Sequence, residues 1–80
     1  MKALQQAVTV NLTPAGELQK MVWAGRSYSV NAVLDQWRHG GRWWLGEAPR
    51  DCYLVQAGEL TAELHHEDGA DRWWLARLVD

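Results

Sequence analysis

Phenylalanine is absent from this chain, and cysteine occurs once, as Cys52. A single thiol cannot close an intramolecular disulfide, which excludes a cross-linked secreted framework. Proline is held to Pro14 and Pro49 and glycine to seven positions, too few for a collagen-like or Pro/Gly-rich disordered chain. No stretch approaches the roughly 18 consecutive apolar residues that cross a bilayer. The start, Met1-Lys2-Ala3-Leu4, lacks the apolar run of a signal peptide, so the expectation is a cytoplasmic protein that does not enter the membrane. Neither sign of charge is in excess: eight Lys and Arg face ten Asp and Glu, for a net charge of -2. A nucleic-acid reader usually carries a basic excess, so any DNA or RNA role would have to come from a local patch.

What the chain does have is tryptophan, at positions 23, 37, 43, 44, 73 and 74. Each indole can hide about 150–250 Å², while a domain this small hides only about 60% of its extended surface. Some rings are therefore expected to stay in contact with solvent. Eighty residues, 48% of them hydrophobic, allow one domain spanning 1–80 with one core.

Polar and apolar residues alternate through most of the sequence. Val8, Val10 and Leu12 share one side of a first segment, and Thr13-Pro14-Ala15-Gly16 supplies a turn. Residues 1–18 thus read as a strand plus turn, either joined to the sheet or peripheral to it. Leu18–Trp23 and Ser27–Val30, separated by Ala24-Gly25-Arg26, read as a hairpin. Val30, Val33, Leu34 and Trp37 also fit a short helical stripe, but β-branched residues without a capping box favour a bent, bulged strand. Four short runs follow, Arg42–Leu45, Arg50–Gln56, Leu60–His66 and Asp71–Val79, each bounded by turn residues. The connections leave no room for the crossovers of a parallel sheet. The expected fold is all-β: a small antiparallel meander of about six or seven strands, forming a strongly curved sheet or partly open barrel.

No catalytic constellation emerges. Cys52 sits in an apolar run, where thiols are inert. His65 and His66 are neighbours and face opposite sides of a strand, while His39 and Cys52 form no metal-ligand spacing with them. Glu67, Asp68 and Asp71 lack the alternating oxygen ligands of a calcium loop, and Gly40-Gly41-Arg42 lacks the lysine and helix of a phosphate loop. No catalytic residue, metal or cofactor is therefore assigned, and the chain is read as non-enzymatic.

One tetrapeptide occurs twice, as Arg42-Trp43-Trp44-Leu45 and Arg72-Trp73-Trp74-Leu75. On a strand, adjacent indoles face opposite sides, so one of each pair can enter the core while the other lies outside. Arginine interleaved with tryptophan is the most suggestive feature. Such residues anchor protein interfaces, stack on unpaired bases while gripping phosphate, or pack within the core as cation–π pairs. The candidate interaction residues are Trp23, Arg26, Trp37, Arg42, Trp44, Arg72, Trp73 and Arg77.

The run from Val22 to Val30, with Val33-Leu34, Trp37-Arg38 and Arg42-Trp43-Trp44, together with the ending Gly69–Asp80, resembles a small bacterial domain family of unknown function. That family is similar to the extreme C-terminus of ImuB-type proteins, inactive relatives of Y-family DNA polymerases. The resemblance covers about residues 20–80. It implies an adaptor in translesion synthesis or DNA-damage tolerance, meeting a mutagenic polymerase, the sliding clamp or a RecA-like accessory protein. This chain carries no polymerase-like body, clamp-binding peptide or acidic catalytic triad, so the resemblance implies no DNA synthesis. The expectation is an interaction module for a protein of the DNA-repair machinery. Single-stranded nucleic-acid binding is the alternative, and pairing of two copies through strand edges is a further route.

Overall fold

The computed structural model describes residues 2–41, 43–46, 48–67 and 72–79, with side chains described for all of these except 2–5 and 43. The chain forms strands β1 (Lys2–Leu12), β2 (Leu18–Trp23), β3 (Arg26–His39), β4 (Arg50–Ala57), β5 (Leu60–Glu67) and β6 (Arg72–Val79). Each is antiparallel to its neighbour, and the six close into a barrel in chain order. Closure falls to β1. Its first part pairs with β6, ending at Val8 opposite Trp73, and its last part pairs with β2 from Thr9 opposite Val22. The leader segment is thus a barrel stave.

Alternation decides which side chains point inward. Tyr53 opposes Leu64, and Val55 opposes Ala62; on the next ladder Leu64 opposes Leu75 and His66 opposes Trp73. Of these, Val55, Ala62, Leu64, Leu75 and Trp73 form the core with Met21 and Ala57, and Tyr53 packs against it. Alanine at 57 and 62 takes little room, which suits the narrow interior of a barrel with few strands.

Turn chemistry sets the registers. Ala24 and Gly25 both have positive φ, 53° and 76°, the requirement of the two-residue turn that matches strand twist. Trp23 is thereby held opposite Arg26. Thr13 closes the β1–β2 turn, accepting from the Gly16 N–H and donating its own N–H to the Glu17 carbonyl, both at 2.8 Å.

The ambiguous stretch after Val30 is strand. Two register shifts interrupt its ladder with β4, between Val30 and Ala32 and between Val33 and Asp35. Asn31 and Leu34 are the extra residues, and such bulges bend a strand and increase its twist. This is why the apolar spacing there mimics a helix.

One expected strand is not formed. Trp43–Leu45 is a short 3-10 helix, lying between Gly41 and Gly46, whose φ values of 72° and 77° turn the chain away from extension. The two copies of the repeated tetrapeptide therefore have different backbones, helical turn in the first and strand in the second. Opposite-face placement of neighbouring indoles applies only to Trp73 and Trp74.

Candidate functional site

β3 is much longer than β2, and its two ladders do not coincide. β2 pairs with β3 only from Trp23 opposite Arg26 to Lys20 opposite Ser29. β4 pairs with β3 from Val30 to His39. Among the described residues, the upper part of β3, residues 31–39, therefore has a strand partner on one side only. β3 thus changes its ladder partner at Val30, from β2 to β4, and a seam opens above that point, where β2 and β3 part.

A cavity of about 540 Å³ lies at this seam. Leu12, Glu17 and Leu18 form its bank on the β1–β2 side, and Val30, Val33 and Gln36 form the β3 bank. Tyr53, His66 and Trp73 supply its aromatic wall. Those rings support one another: His66 stacks on Trp73 with centroids 4.5 Å apart, and Tyr53 tilts against Trp73 at 5.5 Å. Burial pushes the Tyr53 hydroxyl pKa up, and the charges of Asp51 and Cys52 add to the shift, so the phenol stays protonated. On this stretch of β3 Val33 is 47%, Leu34 53% and Trp37 38% exposed; of the three, Val33 lines the cavity.

The sequence-selected residues fall into separate places. Trp44 is 64% exposed in the helical turn after β3, whereas Trp73 is 8% exposed and belongs to the core. Trp73 cannot be an outward anchor; its side chain shares the inward parity of Leu75, and the neighbouring Trp74 takes the outer face opposite His65. Trp23 is half-buried and packed on the core, with its indole N–H donating to Gln6 Oε1 at 2.6 Å and its ring tilted against Tyr28. It closes the interior at the β2–β3 turn. Trp37 lies outside, opposite Cys52. Arg26 is exposed at the β2–β3 turn and Arg72 at the start of β6, opposite Glu67. Arg42 lies outside the described residues. The structure therefore does not join these residues into one patch; Trp37 and Trp44 remain as exposed rings, at the upper end of β3 and just beyond it.

Two arginines are committed to carboxylates. Arg38 Nη1 donates to Asp51 Oδ1 at 2.8 Å, and Arg77 Nε donates to Glu63 Oε1 at 2.6 Å. The second contact depends on the bulge between Glu63 and Leu64 in the β5–β6 register, which returns Arg77 to the outer face beside Glu63. The other oxygen of Glu63 lies 2.6 Å from His65 Nε2, and His65 Nδ1 is 3.4 Å from Arg50 Nη1. This chain of charges accounts for a buried glutamate on the outside of the barrel, since a buried carboxylate must be paired. Cys52 is buried within the same face. Burial pushes its thiol pKa up, with Glu63 adding to the effect and Arg50 opposing it, so it is a thiol rather than a thiolate nucleophile. Among the described residues, no cluster of three or more His, Cys, Asp or Glu is placed to hold a metal ion.

Reasoning from the sequence missed the seam and the lining of its cavity, among it Val33, Tyr53 and His66. Strand lengths were the available signal: a long β3 against a short β2 must leave part of β3 uncovered. Comparison with protein-family models, curated proteins and solved structures finds no match.

Proposed function

We propose that this domain is a non-enzymatic interaction module that binds a protein partner along the open seam between β2 and β3. The supporting observation is the coincidence of three features at one place. They are a strand edge without a partner, a cavity lined in part by aromatic rings with exposed Val33 on its β3 bank, and exposed Leu34 and Trp37 on the same strand. Apolar side chains clustered on a small surface mark recognition sites, and aromatic residues beside a groove are the usual anchors of interfaces. The resemblance of the Val22–Val30 and Gly69–Asp80 segments to the ImuB-type C-terminal domain directs the search for that partner to translesion synthesis and DNA-damage tolerance, with this chain as adaptor.

The test is a titration of the mutagenic polymerase, sliding clamp and RecA-like proteins of that pathway against the domain and its Leu34→Glu variant. Binding that the exposed-site substitution abolishes, with an unchanged melting temperature, supports the proposal. Binding to one of them that Leu34→Glu leaves intact places the interface elsewhere and refutes it.

Single-stranded nucleic acid is the second reading, favoured by the exposed rings of Trp37 and Trp44, which could stack on bases. Against it, Arg38 and Arg77 are paired with carboxylates, and the overall charge is negative. Oligonucleotide binding that falls steeply as salt rises would reverse this preference.

A further inference from the structure

We infer that the occupant of the seam is an extended segment of the partner polypeptide, which adds to the free edge of β3 as a further strand and places alternate apolar side chains in the cavity. This rests on the seam being the docking face.

In an antiparallel ladder, successive residues direct their N–H and C=O groups alternately to the two neighbouring strands. With β4 on one side only, every second peptide unit of the unbroken run Asp35–His39 presents its hydrogen-bonding groups to the open side, beyond the bulges at Asn31 and Leu34. An extended polypeptide matches such a row at its own repeat, and this is the chemistry of strand addition. A folded strand also sends every other side chain to one face, and here that face meets Leu12, Leu18, Val33 and the Tyr53 and Trp73 rings. Apolar residues in alternation suit the apolar part of this wall, while Glu17, Asn31, Gln36 and His66 offer polar contacts beside it.

Charge narrows the partner further. Glu17 lines the β1–β2 bank, and Asp35 lies on the exposed strand, its Oδ1 accepting the Gln36 N–H at 2.8 Å. The guanidinium of Arg38, on the same strand, is engaged by Asp51. Lysine or arginine flanking the apolar positions of the incoming strand therefore suits this rim.

A second copy of this chain fits less well. In a two-fold pairing of β3 with itself, residues placed opposite one another must share a face. The bulges at Asn31 and Leu34 break the alternation, leaving an unbroken run only over Asp35–His39. Centred there, the pairing sets Trp37 against Trp37 and leaves Val33 and the cavity uncovered. A separate, uninterrupted strand meets no such restriction.

The experiment selects binders from a displayed library of random short peptides on the immobilised domain. Affinities of synthetic copies are then measured by fluorescence polarisation. The selected peptides should alternate apolar with polar residues and carry basic flanks. N-methylation of alternate backbone amides distinguishes the two edges of the bound strand. One set of methyl groups should weaken binding by at least about tenfold, and the complementary set by less than about twofold, because only one edge faces β3. Val33→Lys should also reduce affinity by at least about tenfold through a buried, unpaired ammonium. Peptides sensitive to Val33→Lys but indifferent to which amides are methylated, or with apolar residues at helical spacing, would overturn strand addition and leave the docking face standing. Peptides indifferent to both Val33→Lys and Leu34→Glu would overturn the docking face itself. A dimer in sedimentation that Val33→Lys dissociates would assign the edge to a second copy and overturn the peptide assignment.

Discussion

Replacing Trp73 and Trp44 separately by alanine should have opposite consequences, although both come from copies of one tetrapeptide. Trp73 is 8% exposed and Trp44 64%. The Trp73 ring contacts His66 and Tyr53 on its own sheet and packs in the cluster that holds Val55, Leu64 and Leu75. Truncating a buried tryptophan costs about 3–5 kcal/mol, as transfer free energy is lost and a cavity remains. At about 0.05–0.15 kcal/mol per residue, a chain of 80 residues has about 4–12 kcal/mol in all. Trp73→Ala should therefore consume much of the stability and lower the melting temperature by roughly 12–40 °C, at about 4–8 °C per kcal/mol for a domain of this size. Trp44→Ala should cost much less, about 1 kcal/mol or below, because most of the ring is already in water. Urea titration followed by far-ultraviolet circular dichroism measures both. A loss below about 1 kcal/mol for Trp73→Ala, or equal losses for the two variants, would refute the assignment of one ring to the core and the other to the surface.

Ala24 holds a left-handed backbone with φ 53°, a conformation that strains a residue with a Cβ. Ala24→Gly should raise stability by about 0.5–1 kcal/mol, the relief of strain being partly offset by greater freedom of the unfolded chain, and the urea midpoint reports it. Glu63→Ala removes the acceptor shared by Arg77 and His65 and should cost about 1–3 kcal/mol in the same assay, at the lower end because Arg77 is 39% exposed and water can solvate it. The raised pKa values of Cys52 and Tyr53 mean that folding favours their protonated forms. Their contribution is complete below the unfolded pKa values, about 8.5 for thiol and 10 for phenol, and is lost as pH rises through the folded ones. Stability should thus fall with pH above about 8.5, less steeply in Cys52→Ala. In the native domain Cys52 should react with a disulfide reagent only as fast as the structure opens, so that denaturant accelerates the reaction; rapid labelling without denaturant would contradict its burial.

Most of the barrel was legible because two-residue periodicity and turn residues specify strands locally. Val8, Val10 and Leu12, the Leu18–Trp23 strand of the first hairpin and the Leu60–His66 run all fold as their pattern indicates, while the turn after Trp23 is one residue shorter than its residues suggest, Arg26 already lying in β3. What failed was local context that identical residues cannot report. Arg42-Trp43-Trp44-Leu45 has the composition of a strand, but glycines on either side and the lack of a ladder partner leave Trp43–Leu45 as a helical turn. The indoles misled for a related reason. Whether Trp73 or Trp74 faces the core depends on the register against β5, fixed by His66 opposite Trp73, and register is a long-range property. Arg77 looked available in the sequence, yet its distance from Glu63 is set by a bulge in a ladder formed with a different strand. The seam itself arises from a difference between two ladders and has no sequence motif.

The open edge of β3 is tested most directly by residue-resolved amide hydrogen exchange on the domain alone. β3 pairs with β4 alone along the unbroken run Asp35–His39, so every second amide there should exchange rapidly because no strand accepts its proton on the open side, while the amides facing β4 should be protected. Continuous protection along Asp35–His39 would show that another strand already covers the edge, and the seam could not receive a partner.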